Sequence, residues 1–254
     1  TRSKKRGDYN KALQTLVFHG ANPEILFEAH PHIGTDKLPY IIRNICRTIT
    51  EYGGKVLFER KVTDLIIKEN KLRGVVCGDE RIEAVAVVLA TGHSARDIYY
   101  LLHRHHILLE PKAFAMGVRI EHPQQLINNI QYHRSPDMEY LPAAAYSLVA
   151  QVGGRGVYSF CMCPGGFIVP AMTDAAQSVV NGMSPSQRNS RWANSGLVTE
   201  IRVEDFAHLE EQYGPLAGLV FQQQLEEAQQ ALKDISGRGG YKRASSLQRY
   251  ASMH

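Results

Sequence analysis

The sequence lacks the marks of a membrane, secreted or nucleic-acid-binding protein. Its longest apolar run is Ala84–Ala90, far shorter than the ~20 residues that cross a bilayer, and no signal-peptide pattern is present. It has only four cysteines, which excludes a secreted disulfide framework and predicts a reducing, cytoplasmic location. The net charge is only +4, and the short basic run Arg2–Arg6 is typical of a solvated end. We therefore expect neither nucleic acid nor a membrane as a partner.

What is present is the composition of an ordinary globular protein. The chain has 254 residues, of which 44% are hydrophobic and 21% are charged. This is enough for one large domain or two smaller ones. The sequence starts at Thr1 without a methionine, and we expect it to be a piece of a longer protein.

Helix-like and strand-like patterns alternate in the first part of the chain. Apolar spacing predicts helices over residues 8–20 and from a cap at Thr35 or Asp36 to residue 53, with a short strand over Ile25–Ala29 between them. The run Ala84–Leu89 is continuously apolar, which predicts a strand buried on both faces of a sheet. Further strands are predicted over Lys55–Phe58, Val62–Ile67 and Leu72–Cys77, and a helix over Ser94–His103.

After about residue 107 short strands alternate with loops. Strands are predicted over Ala113–Ile120, Ala145–Val152 and Val157–Met162, and helices over Pro123–Ile130, Pro185–Trp192 and from Pro215 to about Leu232. The order of elements predicts the α/β class, with α+β character in this second part.

Four stretches of the sequence, in this order, resemble the interior of a family of bacterial FAD-dependent dehydrogenases. That family is related to the glutathione-reductase-like flavoproteins with FAD/NAD(P)-binding folds. Single stretches are weak signals, but the four together are specific. They are Arg2–Asp8, Ala29–Pro39, Leu89–Asp97 and Val157–Ser186 with its continuation Arg191–Asn194.

The resemblance implies FAD as the cofactor and a Rossmann-like FAD domain interrupted by a strand-rich substrate-side domain. Residues 1–92 would be part of the FAD-binding domain and residues 93–254 the substrate-side domain. In such proteins the fingerprint G-x-G-x-x-G binds the pyrophosphate at a helix N-terminus. This sequence does not contain the fingerprint, so we expect the chain to be the middle of its parent protein.

The resemblance also implies cofactor contacts at two places. Ala90, Thr91 and Gly92 would end a strand near the FAD, where small residues let the backbone approach the cofactor. The alternative is an ordinary strand-to-helix turn. Val62 would lie at a strand end that meets the adenine through backbone groups.

Ser94 and Arg96 follow directly and have competing interpretations. Gly92-x-Ser94 between a strand and a helix is similar to the nucleophile elbow G-x-S-x-G of hydrolases, but Arg96 stands where the elbow has glycine. Arg96 suits a phosphate or an anionic substrate, because its guanidinium binds such groups in a fork. The alternative for Arg96 is an ion pair on a helix.

Cys161 and Cys163 are the candidate catalytic residues. Residues two apart on a strand share one face, so both thiols can address the same space. A thiol near a flavin can attack substrate or exchange electrons through a disulfide, although a disulfide across a single residue is strained. The alternative is two small buried residues packed under the loop Pro164–Gly166. His30 and His32 have no third ligand at suitable spacing, so no metal is expected.

The sequence therefore predicts part of a FAD-dependent oxidoreductase, with a reduced nicotinamide, NAD(P)H, or a small organic molecule as substrate. Two alternatives stay open. The chain can be a non-catalytic module that packs against a dinucleotide fold supplied elsewhere, or a serine hydrolase that uses Ser94.

Overall fold

The structure is a computed structural model of the chain, and it describes residues 9–92, 94–133, 140–172, 179–236 and 247–250. The chain forms two compact units, each assembled from separate stretches. The first unit comprises the described residues within Thr1–Val56, Ala115–Glu200 and Gln229–Tyr250; the second comprises those within Leu57–Phe114 and Ile201–Ala228. The division predicted from the sequence, 1–92 against 93–254, concerns domains of the parent protein and stays a prediction.

Helices and sheets occur together, as the predicted α/β class requires. Among the described residues no helix is both long and apolar enough to span a bilayer. Short 3₁₀ turns lie at Pro23–Leu26, Val203–Leu209 and Gly214–Leu216. The α-helices are α1 (Tyr9–Phe18), α2 (Leu38–Glu51), α3 (Arg96–Arg104), α4 (Gln124–Gln131), α5 (Glu210–Tyr213) and α6 (Ala217–Ser236).

The described residues form three sheets. Antiparallel neighbours build a three-stranded sheet, β1–β2–β3, in the second unit and a two-stranded sheet, β7–β8, in the first. A five-stranded sheet has the order β10–β4–β9–β6–β5. The strands are β1 (Asp64–Lys68), β2 (Lys71–Cys77), β3 (Glu80–Glu83), β4 (Phe114–Pro123), β5 (Val149–Val152), β6 (Arg155–Cys163), β7 (Phe167–Pro170), β8 (Val180–Met183), β9 (Trp192–Ile201) and β10 (Leu247–Tyr250).

Small apolar clusters hold each unit together. In the first unit, Leu13 and Ile41 bring α1 and α2 together around the 3₁₀ turn that carries Ile25. In the second unit, the Phe206 ring stacks on Phe114 with centroids 5.8 Å apart and lies near Phe221. Apolar burial at such contacts contributes most of the favourable energy of folding.

Four predicted elements are wrong. The segment Lys55–Phe58, expected as a strand, forms none and lies between α2 and β1. The expected strand Ile25–Ala29 is instead a 3₁₀ turn, because Pro23 and the Asn22 side chain, which accepts from the Glu24 N–H, initiate a helical turn. The expected helix Pro185–Trp192 contains turns and bends and leads into β9.

The fourth wrong element is the expected buried strand Ala84–Leu89. The Ala84 N–H donates to the Arg73 carbonyl oxygen of β2 over 2.8 Å, but no strand forms from there to Leu89, and Val85 and Val88 are 100% and 88% exposed. Apolar composition predicted burial, but burial of a strand requires neighbouring strands, and beyond Ala84 the described residues supply none.

Candidate functional site

The two cysteines of the candidate site lie at a β-bulge in β6. Phe160 pairs with Gly196 of β9, and the next pair joins Cys163 to Asn194, so β6 carries one extra residue. Cys161 lies in this bulge, and its φ is +51°. This left-handed conformation is uncommon for a residue with a side chain. Bulges re-aim side chains, and this one directs the two thiols differently.

Cys161 is exposed and Cys163 is buried, with only 7% of its surface accessible. Neither forms a disulfide. The Cys163 thiol lies 3.3 Å from the Cys161 carbonyl oxygen, and it also reaches the Cys161 sulphur. The two thiols therefore share one space, but only Cys161 faces solvent.

Arg119 of β4 places a positive charge beneath the two thiols. Its side chain is buried, with 3% exposure. Nη2 donates to the Cys161 carbonyl oxygen over 3.1 Å, and Nη1 donates to the Asn194 Oδ1 and lies 3.8 Å from the Cys163 sulphur. Sequence reasoning did not single out Arg119, because its place on β4 is 42 residues before Cys161 and only the sheet brings them together.

The pKa values of the two thiols are driven apart. Hydrogen bonding from Cys163 and the charge of Arg119 outweigh burial and lower the pKa of the Cys161 thiol to about 6. The same hydrogen bond and burial raise the pKa of the Cys163 thiol. At neutral pH Cys161 is therefore a thiolate and Cys163 a thiol.

Gly182 of β8 closes the other side of this cluster. A Cβ at this position would overlap the Arg119 guanidinium and the Asn194 Oδ1, so only glycine fits. Asn194 is fully buried, and its Nδ2 has no hydrogen-bond partner among the described residues. A buried donor with unused capacity is suited to a ligand or a water.

The glycines of the Pro164–Gly166 loop are required by facing backbone. A Cβ on Gly165 would overlap the Arg188 carbonyl oxygen, and one on Gly166 would overlap that of Met183. The Gly165 N–H donates to Gln124 Oε1 over 2.7 Å. The close neighbours of this loop are therefore protein backbone.

Two of the stretches that carry the family resemblance meet at Asp36 and Ser186. The Ser186 N–H and hydroxyl donate to the two carboxylate oxygens of Asp36 over 2.7 and 2.8 Å, which lowers the pKa of that carboxyl. A Cβ on Gly34 would overlap the Ser186 backbone. The predicted cap of α2 is therefore wrong, since Lys37 stands at the N-cap without a side-chain bond and Asp36 is used to join two loops.

The described ranges contain no group of three His, Cys, Asp or Glu side chains that could hold a metal ion. His32 Nε2 lies 3.0 Å from the Pro185 carbonyl oxygen.

The predicted cofactor-binding residues belong to the second unit. Ala90, Thr91 and Gly92 are exposed, and Gly92 has φ = +75° with open space where a Cβ would lie. Val62 is half-buried just before β1. Small residues with exposed backbone are suited to close approach by a flat cofactor, and the assignment of these positions as FAD contacts stays a prediction.

Arg96 is poorly placed for the phosphate-binding role that the sequence predicted. Its side chain is buried and its Nη2 pairs with Glu226 Oε2 at 2.8 Å, which neutralises the guanidinium charge. Ser94 is half-buried in the turn before α3, and its carbonyl oxygen accepts from the Arg96 N–H over 2.9 Å. The strand that a nucleophile elbow requires before this turn is not formed.

The fold combines antiparallel sheets with helices, and the thiol site lies on strand β6 of the five-stranded sheet. Residues 113–250 match the family model described as "FAD-dependent protein, C-terminal domain-like". This match covers more than half of the chain, and the chain belongs to that family.

A relative in Clostridium beijerinckii, described only as an uncharacterized protein, is 43% identical over 232 residues. The matched region covers 91% of this chain and 42% of the relative. The chain therefore spans less than half the length of this curated relative.

Proposed function

We propose that the chain is part of a FAD-dependent oxidoreductase that transfers electrons between FAD and a small molecule or NAD(P)H, and that it contributes part of the FAD domain and the substrate-side domain. Membership of a family of FAD-dependent proteins supports the cofactor. The larger size of the C. beijerinckii relative supports a parent protein with room for a complete dinucleotide-binding domain.

The single observation that carries the proposal is the exposed Cys161 above the buried Arg119. Substrate-side domains of oxidoreductases must offer polar or reactive groups to a small molecule, and perturbed pKa values cluster at such sites. No other side-chain cluster in the described part of the chain combines an exposed nucleophile with a buried cation.

FAD would supply the electron-transfer chemistry in the parent protein. In this chain the exposed backbone of Ala90, Thr91 and Gly92 would lie against one edge of the cofactor, and Val62 would contribute backbone contacts. The phosphate-binding turn is not in this sequence, so the residues that bind the pyrophosphate would come from the rest of the parent protein.

The proposal is tested with the full-length parent protein under anaerobic conditions. NADH or NADPH is mixed with the protein and the flavin absorbance is followed; we expect one of the two to bleach it. Turnover is then compared for Cys161→Ser, Cys163→Ser and the control Cys77→Ser, whose half-buried thiol is in the second unit. Loss of turnover only in the first two variants supports a role of the thiol pair in turnover, whereas unchanged turnover in all three would reduce the pair to packing residues.

A second candidate is a non-catalytic module, and the exposure of Val85, Val88 and Leu89 favours it. An extended apolar segment of this kind is suited to packing against a dinucleotide fold elsewhere in the longer protein. A parent that binds FAD but shows no electron transfer with either nicotinamide or a small-molecule panel supports this candidate. The hydrolase hypothesis predicts labelling of Ser94 by a fluorophosphonate probe, and absence of labelling would exclude it.

A further inference from the structure

Cys161 and Cys163 differ in exposure and ionisation, and this difference determines which thiol can react, whether or not a flavin is present. The thiolate is the nucleophilic form of cysteine, and a nucleophile must also be accessible. Cys161 satisfies both conditions: it is exposed on the bulge, and its ionised form is held by the Cys163 thiol and the Arg119 charge. Cys163 satisfies neither, because it is buried and stays protonated.

The hydrogen bonds around the bulge fix this arrangement. Arg119 Nη2 holds the Cys161 carbonyl oxygen, which keeps the residue in its left-handed conformation, while Nη1 is directed to Asn194 and Cys163. When Cys161 is ionised, the single S–H of Cys163 can turn from the carbonyl oxygen to the sulphur. The buried donor Asn194 Nδ2 adds unused hydrogen-bonding capacity to the same cluster.

We propose that Cys161 is a thiol–disulfide exchange site that forms a stable mixed disulfide with a small disulfide, and that Cys163 supports Cys161 without resolving the adduct. The Cys161 thiolate attacks one sulphur of the incoming disulfide, whose S–S bond breaks. One half leaves as a thiolate, and the other half remains bonded to Cys161. The new S–S bond is made from the electron pair of the Cys161 thiolate, and the pair of the broken S–S bond departs with the leaving half. The incoming disulfide is the oxidant: the Cys161 sulphur is oxidised by one formal electron and the leaving sulphur is reduced by one.

Resolution by Cys163 is disfavoured for two physical reasons. It would need Cys163 as a thiolate, and burial together with the neighbouring sulphur opposes its ionisation. The product would be a disulfide across one intervening residue, whose geometry is strained. Cys163 and Arg119 are therefore positioning residues.

The rate advantage can be estimated from ionisation and nucleophilicity. At pH 6 about half of Cys161 is ionised, against about 0.3% of an ordinary cysteine with a pKa of about 8.5. The lower basicity of its thiolate reduces the intrinsic rate roughly tenfold. The net expectation is that Cys161 reacts about tenfold faster than an ordinary exposed cysteine at pH 6.

The test uses the aromatic disulfide 5,5′-dithiobis(2-nitrobenzoic acid) on the purified 254-residue chain. We expect a fast phase that releases one equivalent of thionitrobenzoate per chain, with the other half retained on Cys161 in the peptide mass spectrum. The rate of this phase should level off above about pH 7, because Cys161 is then already ionised. Cys161→Ser should lose the fast phase and Cys77→Ser should keep it.

Arg119 is tested by the pH profile of the same phase. Arg119→Met should move the midpoint of the rate profile to higher pH, and Arg119→Lys should restore it in part because the charge returns. If Arg119→Met does not fold, Asn194→Asp serves instead, since a carboxylate beside the guanidinium offsets its charge and should also raise the midpoint.

Three results would overturn the proposal. A fast phase that survives in Cys161→Ser would place the reactive thiol elsewhere. Release of two equivalents with no retained adduct would show that Cys163 resolves the mixed disulfide. If Cys161→Ser does not fold, absence of label on the Cys161 peptide of the unaltered chain would be equally decisive against it.

Discussion

Arg96 of α3 donates to Glu226 of α6 across 2.8 Å inside the second unit, with side-chain exposures of 9% and 1%. Taking such charges out of water is costly, and their mutual attraction offsets that cost only while both are present. Arg96→Met should therefore lower the free energy of unfolding by about 3 kcal/mol. Urea unfolding of the purified chain measures the change.

The control is the surface pair of Arg47 and Glu51 on α2, whose side chains are 70% and 61% exposed. Arg47→Met should cost at most about 0.5 kcal/mol, since water screens an exposed pair. Equal losses in the two variants would contradict the assignment of the Arg96–Glu226 pair as a buried structural contact.

Gly182→Ala should destabilise the first unit and disturb the thiol site together. The added methyl group would overlap the Arg119 guanidinium and the side-chain oxygen Oδ1 of Asn194, and overpacking of this kind costs about 1–3 kcal/mol. We expect lower thermal stability and a changed pH profile of Cys161 alkylation by iodoacetamide.

Gly156→Ala on β6 is the matched variant for Gly182. Its Cβ would meet only the Gln151 side chain at 3.8 Å, which is ordinary contact. Stability within about 1 kcal/mol of the unaltered chain and an unchanged alkylation profile are expected. A loss at Gly156 as large as that at Gly182 would show that crowding at Arg119 is not the cause.

Asp64 should make a small part of the stability depend on acid pH. Its carboxylate lies 2.5 Å from His105 Nε2 and 3.4 Å from Arg104 Nη2, and chiefly the His105 hydrogen bond lowers its pKa from 3.8 to about 2. Because the folded pKa is depressed, the stabilisation is complete above the unfolded value of 3.8 and is lost as the pH falls towards 2.

Comparison of the unaltered chain with Asp64→Asn by urea unfolding measures this effect. Since the Asp64 side chain is 46% exposed, the difference at pH 5 should be at most about 1 kcal/mol, and it should fall to a small part of that value near pH 2 and vanish below it. A difference that persists unchanged at pH 2 would contradict the link to Asp64 ionisation.

The rate of amide hydrogen exchange at Val85, Val88 and Leu89 should differ between the 254-residue chain and its full-length parent. In the 254-residue chain their amides have no strand partner and should exchange rapidly. In the full-length parent we expect protection of the same amides, because the segment would join another part of the protein. Rapid exchange in both proteins would contradict a packing role, and the β2 amide of Val75 serves as an internal control.

Local patterns predicted the elements that depend on local contacts. Helices α1, α2, α3, α4 and α6 and the β1–β2 hairpin follow from apolar spacing and turn residues, and their observed bounds lie close to those expected. The strand predicted over Ala84–Leu89 is wrong because strand formation depends on partner strands that are distant in sequence or lie outside it. Local composition does not reveal such partners.

The candidate site was predictable only in part. The two cysteines were identified from their spacing, but the bulge that exposes Cys161 and buries Cys163 follows from the register of β6 against β9. Arg119, Asn194 and Gly182 were missed, because each comes from a different strand and carries no local motif. Asn181-Gly182 had the composition of a turn, yet Gly182 is needed in β8 for space around Arg119.

The most direct test of the proposed function is the visible absorbance of the full-length parent, measured beside the purified 254-residue chain after incubation of both with FAD and removal of free cofactor. We predict flavin absorbance bound to the parent and none bound to the shorter chain, since the sequence here lacks the phosphate-binding turn. A parent that stays colourless after reconstitution would contradict its assignment as a flavin-dependent oxidoreductase.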